Sequence, residues 1–174
     1  MSDIQSLEKL VRNIPNFPIE GIQFKDITTV LKSAEGLKMS IEAMKNKLDG
    51  LDFDIIIGPE SRGFIFGVPL ALACEKGFVP ARKKGKLPAE VISKTYTLEY
   101  GENTIEIHKD AIKKGQKIVI ADDLLATGGT CRAICELVES VGASVVSVIF
   151  FIELKDLNGR EALKDYNIDS IITY

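Results

Sequence analysis

The sequence predicts an α/β protein with a central, mainly parallel sheet flanked by helices. Three observations carry that expectation. Short apolar runs at 54–58, 78–81, 118–121, 144–152 and 171–173 alternate with longer segments at 63–74 and 131–141 whose apolar residues fit helices. Runs such as Ile55-Ile56-Ile57 and Ile118-Val119-Ile120-Ala121 are apolar without alternation, as strands covered on both faces require. Glycine-bearing turns at 58–63 and 126–130 follow two of these runs, at strand carboxyl ends, where ligands of such sheets collect.

The elements follow in order. Ile4, Leu7, Leu10, Val11 and Ile14 recur at helical spacing and stop before Pro15, which predicts a short amphipathic helix. Pro15, Phe17 and Pro18 then force an extended connection. Leu37, Ile41, Met44 and Leu48 share one face of a second helix that ends near Gly50. The segments 54–58, 63–74 and 78–81 make a β-α-β unit. Alternating residues at 91–98 and 104–108 surround Glu99-Tyr100-Gly101-Glu102-Asn103 and predict a hairpin leaving the main sheet, its polar tip a candidate lid. Beyond it the strand and helix pattern resumes to the end of the chain. With 174 residues, 45% of them hydrophobic, one substantial core and one domain spanning 1–174 are expected.

Composition narrows the partners. A net charge of −3 gives no basic surplus for nucleic acid, and no apolar run approaches the roughly 18 residues of a membrane helix. The N-terminus lacks the basic-then-apolar order of a signal peptide, so a cytoplasmic protein is expected. Cys74, Cys131 and Cys135 are odd in number without a Cys-x-x-Cys pair, which argues for reduced thiols. Cys131 follows Thr130 near a helix start and reads as a packing residue or a stabilised thiolate. His108, the sole histidine, reads as a solvent-side strand residue.

The chemistry concentrates at 117–130, where an apolar strand runs into Asp122-Asp123 and then Ala126-Thr127-Gly128-Gly129-Thr130. The first amide groups of a helix lack intrahelical partners and point along the positive end of its dipole, so an oxyanion placed there binds to the backbone. Gly128 and Gly129 let a phosphate approach the main chain, and the Thr127 and Thr130 hydroxyls can add hydrogen bonds. The plain alternative is a βα turn capped by threonine. Asp122 and Asp123 need a neutralising partner, either sugar hydroxyls or a divalent cation; one acid as a cap and one solvated is the plainer reading. A Walker-type loop is disfavoured because the Gly-Lys-Ser/Thr ending is absent.

The run 118–130 resembles the phosphoribosyl-diphosphate signature of type I phosphoribosyltransferases. Phe17-Pro18 with 21–27, Ser61-Arg62-Gly63-Phe64, Arg82-Lys83-Lys84-Gly85-Lys86-Leu87-Pro88 and 96–101 resemble the adenine-using branch of that family, over nearly the whole chain. The resemblance implies the type I phosphoribosyltransferase fold, with a projecting hairpin lid and an N-terminal hood segment. It further implies a transferase of purine salvage that converts adenine and phosphoribosyl diphosphate to AMP and diphosphate. Mg2+ is expected to bind with phosphoribosyl diphosphate, with no direct protein ligand, in a homodimer without nucleic-acid or membrane partners.

Residue roles follow from the same match. Asp122 and Asp123 would take the ribose hydroxyls, and Ala126, Thr127, Gly128, Gly129 and Thr130 the 5-phosphate. Ser61, Arg62, Gly63, Arg82, Lys83 and Lys86 would bind diphosphate, with Arg62 also catalytic and an unusual cis peptide between Glu60 and Ser61. Glu99 would handle a purine proton or stabilise developing positive charge, while Tyr100 closes over the ligands. Ile22, Phe24 and Lys25 would hold adenine, with Phe24 stacking on the base. Glu20 stands where proline is frequent and Lys25 where arginine is usual; lysine lacks the planar fork. An oxopurine (hypoxanthine, guanine or xanthine) is the alternative substrate, and a phosphoribosyl-diphosphate-sensing regulator a remote alternative.

Overall fold

The computed structural model describes residues 3–97 and 101–174. Its elements in chain order are α1 (Asp3–Leu10), β1 (Arg12–Pro15), β2 (Gln23–Asp26), α2 (Thr28–Leu31), α3 (Ala34–Lys47), β3 (Ile55–Pro59), α4 (Arg62–Ala73) and β4 (Gly77–Lys83). There follow β5 (Val91–Thr97), β6 (Glu102–His108), β7 (Lys117–Leu125), α5 (Gly129–Ser140), β8 (Ser144–Glu153), a 3-10 turn (Lys155–Leu157), α6 (Gly159–Ala162) and β9 (Ile168–Thr173).

A seven-stranded sheet in the order β5-β6-β4-β3-β7-β8-β9 organises the chain. Strands β4, β3, β7, β8 and β9 run parallel, and the β5-β6 hairpin is antiparallel. Side chains alternate across β7, and both faces are covered. Ile118 and Ile120 pack with Ile134 and Val138 of α5, whereas Val119 and Ala121 pack with Phe66 and Leu70 of α4 and with Met44 of α3. This two-sided burial is why the strands read as unbroken apolar runs. α3 starts after Ser33, whose side chain accepts the Gly36 amide at 3.0 Å, and it ends with Lys45 and Lys47 at its negative pole.

The opening helix is shorter than its periodicity suggests. It stops at Leu10, and Arg12–Pro15 instead pairs antiparallel with Gln23–Asp26, from Arg12↔Asp26 to Pro15↔Gln23. Arg12 Nε donates to Asp26 Oδ2 at 2.9 Å across this ladder, and the Phe17 and Phe24 rings meet edge to face at 5.2 Å. Ile14 satisfies helical and strand spacing alike, so periodicity could not separate them. Between these strands lies a turn with a cis Phe17–Pro18 bond and Asn16 at φ 57.

The hairpin leaves the parallel array where β4 ends. It pairs with β4 through Arg82↔Glu106 and Lys83↔Ile105 and then lies against α5, with Lys94 Nζ 2.7 Å from Glu136 Oε2. Glu99 and Tyr100, which the sequence pattern puts at its tip, lie outside the described residues.

Candidate active site

β7 continues beyond the expected apolar core through Asp122 and Asp123, because β8 keeps pairing with it as far as Leu125↔Glu153. The chain then turns at Ala126–Gly128 into α5. Gly128 caps this helix at φ 81, and a Cβ there would lie 2.6 Å from the Gly159 carbonyl oxygen. Only glycine meets both conditions. The packing partner, Gly159 at the start of α6, gave no signal in sequence because it lies far along the chain. No acidic residue occupies the first turn of α5, so nothing there competes for the positive end of its dipole. A cavity of about 100 Å³ lies at this turn, bordered by Asp122, Ala126, Thr127, Gly128, Gly129 and Thr130.

A second cavity, about 230 Å³, adjoins it and shares Asp122, Leu124, Ala126 and Thr130. Its other wall is the turn Pro59, Glu60, Ser61 and Arg62, so the two strand-end loops converge as the sequence pattern implies. Glu60–Ser61 is cis. Arg62 Nε lies 2.9 Å from Asp123 Oδ2, and the Asp123 amide donates to Asp122 Oδ1 at 2.8 Å. A Cβ on Gly63 would fall 2.9 Å from Asp122 Oδ1 and 2.8 Å from Pro59 Cδ, so the glycine is needed for the loops to meet.

The acid pair is electrostatically loaded. Burial, followed by the neighbouring Asp123 charge, pushes the Asp122 carboxyl well above the usual carboxylate range. Burial also raises Asp123, more than the Arg62 charge lowers it. Such a pair favours a ligand that donates hydrogen bonds, and sugar hydroxyls do so. Cys131 is buried in the core with Ala133 and Ile134, as a packing residue would be, and its contact with Cys135 and burial push its thiol well up.

Glu60, expected only as the first residue of the cis Glu60–Ser61 bond, organises the basic segment. Its carboxylate accepts the Lys83 amide at 2.6 Å and Arg82 Nη2 at 3.3 Å. Burial pushes Glu60 up, but the Lys83 amide and Arg82 outweigh it and hold the carboxyl below its ordinary value. Arg82 Nη1 also reaches the Lys86 carbonyl at 3.2 Å, and the Gly85 amide donates to buried Glu106 at 2.9 Å. Arg82 thus stands beside the 59–62 turn. The Lys83 and Lys86 side chains are exposed and border neither cavity. The signal for Glu60 was an acid directly before Ser-Arg-Gly and a basic run farther on that needed pinning.

The hood brings Phe24 to this groove, its ring centroid 6.0 Å from the Arg62 guanidinium carbon. Lys25, the next residue on β2, points the other way and sets Nζ 3.8 Å over the Tyr174 ring. Any part Lys25 plays in base recognition therefore falls to its main chain. Ile22 is exposed at the start of this strand. His108 is half-buried rather than solvent-facing, and its Nε2 has no hydrogen-bond partner among the described residues.

Paired acids beside a glycine turn at a helix N-terminus suit a phosphorylated sugar, and a family model described as phosphoribosyl transferase domain matches residues 26–173. Fold and site together therefore define a phosphoribosyl transferase. The adenine phosphoribosyltransferase of Lachnoclostridium phytofermentans is 58% identical over 171 residues, 98% of each chain. Among solved structures, adenine phosphoribosyltransferase from Thermoanaerobacter pseudethanolicus aligns at TM-score 0.95 with 53% identity, covering 98% of this chain and 99% of its own. The Saccharomyces cerevisiae enzyme, crystallised with adenine and an iminoaltritol bisphosphate, aligns at TM-score 0.93 with 41% identity over 97% and 98%. The chain belongs to the adenine phosphoribosyltransferase family.

Proposed function

We propose that this protein, acting as one domain over 1–174, transfers the 5-phosphoribosyl group of phosphoribosyl diphosphate to adenine, releasing AMP and diphosphate in purine salvage. The meeting of Phe24, Arg62 and Asp123 carries this reading. Phe24 lies 6.0 Å from the Arg62 guanidinium carbon and Arg62 Nε 2.9 Å from Asp123, which supports reading them as an aromatic face for the base, a guanidinium for the diphosphate and a carboxylate for the ribose.

The 5-phosphate binds the amides of 126–130 and the hydroxyls of Thr127 and Thr130, while Asp122 and Asp123 accept from the ribose hydroxyls. As the bond from ribose C1 to diphosphate breaks, charge gathers on the leaving oxygens. Arg62, the Ser61 and Gly63 amides, and Arg82 with Lys83 and Lys86 offset that charge. The attacking adenine nitrogen gives up its proton as the new bond to C1 forms. Glu99 takes that proton or stabilises the positive charge, Tyr100 closes over the ligands, and Ile22, Phe24 and the Lys25 main chain hold the base.

Among the described residues no three His, Cys, Asp or Glu side chains converge to cage a metal ion. Asp122 and Asp123, beside the proposed diphosphate site, would hold an Mg2+ through water as it arrives with the substrate. When bound, it would neutralise part of the departing diphosphate. The protein works as a homodimer in the cytoplasm, without nucleic-acid or membrane partners. No helix among the described residues is long and apolar enough to cross a membrane. Ile65, Val68 and Leu72 form an exposed apolar row on α4 (39%, 49% and 79% accessible), which supports dimer contact there.

Diphosphate release measured with adenine, hypoxanthine, guanine and xanthine tests the assignment. Adenine should dominate, and preferred turnover of an oxopurine would refute the base assignment. Catalytic silence with salt-sensitive nucleic-acid binding would favour the regulator instead.

A further inference from the structure

Tyr96 sits on the hairpin strand β5, yet its hydroxyl reaches the phosphate loop: Tyr96 Oη and Thr130 Oγ1 are 2.9 Å apart. The ring follows the same loop, since a Cβ on Gly129 would meet Tyr96 Cδ2 at 3.8 Å, an ordinary van der Waals distance. The strand has an independent anchor on α5 in the Lys94 to Glu136 ion pair at 2.7 Å. Its placement therefore does not depend on the phenol oxygen.

Thr130 borders both cavities. Its hydroxyl carries one proton and can also accept. A threonine in the first turn of a helix, left to itself, can spend that proton on a nearby backbone carbonyl. A phosphate is a far stronger acceptor, and a hydrogen bond to it is roughly twice as strong as a neutral one. Once the proton is committed to the phosphate, Thr130 Oγ1 is free to accept from Tyr96. Two hydrogen bonds in series then polarise each other.

We propose that Tyr96 is a positioning residue for the ribose 5-phosphate: its phenol donates to Thr130 Oγ1 and so holds the Thr130 proton on the anion. This rests on reading 126–130 as the 5-phosphate site. It gives the hairpin a role at the sugar end of the substrate, separate from whatever its tip does at the base.

Tyr96→Phe removes one oxygen and keeps the ring. Calorimetry with ribose 5-phosphate reads the anion site without catalysis. Affinity should fall about five- to tenfold, the size of one lost hydrogen bond, with Tm unchanged. In a Thr130→Val background, Tyr96→Phe should cost nothing further, because the two residues act as one unit. In turnover, KM for phosphoribosyl diphosphate should rise by the same factor while KM for adenine stays constant. Unchanged ribose 5-phosphate affinity, additive losses in the double variant, or a lowered Tm with equal rises in both KM values would each overturn the proposal. If the unmodified protein binds ribose 5-phosphate but transfers the phosphoribosyl group of phosphoribosyl diphosphate to no purine, the transferase reading fails and the role of Tyr96 is still decided by the binding cycle. If it binds no ribose 5-phosphate, both fail.

Discussion

Arg62 Nε lies 2.9 Å from Asp123 Oδ2, so the cation proposed for the diphosphate and an acid proposed for the ribose neutralise each other before substrate arrives. Asp123 is buried, whereas the Arg62 side chain remains 41% accessible. The guanidinium thus keeps accessible surface for a ligand while its Nε holds the acid.

Replacing this arginine should separate catalysis from folding. Arg62→Ala is expected to lower kcat by roughly 10²- to 10³-fold, as for loss of one preorganised donor to a developing anion. The transient-state rate of diphosphate release, measured beside the thermal midpoint, checks this. Arg62→Lys should recover only part of the rate, because an ammonium cannot hold Asp123 and the leaving group with one planar fork.

The acid pair should show a trade between stability and function. Folding raises the pKa of both Asp122 and Asp123. A carboxyl raised in this way favours the folded state below its unfolded value of 3.8, and that advantage is lost as pH rises through the folded-state pKa. At neutral pH, Asp122→Asn with Asp123→Asn should therefore raise Tm, by about 2–4 °C for each kcal/mol relieved. The same change should raise KM for phosphoribosyl diphosphate roughly 10- to 100-fold. Below pH 3.8 the Tm advantage should disappear. Unchanged kinetics would remove both acids from the site.

Asp26 titrates in the opposite sense. The Thr28 amide, followed by Arg12, lowers its carboxyl to about 2 from 3.8. Its stabilisation is full above 3.8 and is lost as pH falls through about 2. Asp26→Asn should cost about 1–2 kcal/mol near neutral pH, discounted because Arg12 is exposed, and the cost should shrink in acid. Since Asp26 closes the β1-β2 ladder that carries Phe24, KM for adenine should rise more than KM for phosphoribosyl diphosphate. Equal effects on both would separate the hood from base binding.

Gly63→Ala tests how closely the strand-end loops must meet. The new methyl would lie 2.8 Å from Pro59 and 2.9 Å from the Asp122 carboxylate, both held by surrounding structure. A destabilisation of about 1–3 kcal/mol is expected from denaturant unfolding. Activity should fall further than this stability loss implies, because the displaced atoms belong to the proposed site. Gly77→Ala, with open space around it, is the matched control.

Much of the candidate site was legible locally. The run 118–130 carries its own instructions, since unbroken apolar residues require a doubly covered strand and consecutive glycines a close turn. Glu60 and Glu106 were not legible in the same way. A glutamate near a turn usually reads as solvated, and only the approach of the basic segment makes these two carboxylates organisers of it. The hood strand was missed because Ile14 fits two periodicities, and pairing with Gln23–Asp26 decided between them.

The sequence by itself determined the sheet, the strand-end position of the glycine-rich turn and, through motif resemblance, the family. These depend on periodicity and on residue types that act within a few positions of one another. Tertiary structure alone decided that Arg62 holds Asp123, that Lys25 turns to Tyr174, and that Tyr96 reaches Thr130. Each of those contacts spans more than a local segment, and its geometry exists only after the sheet has brought distant strand ends together.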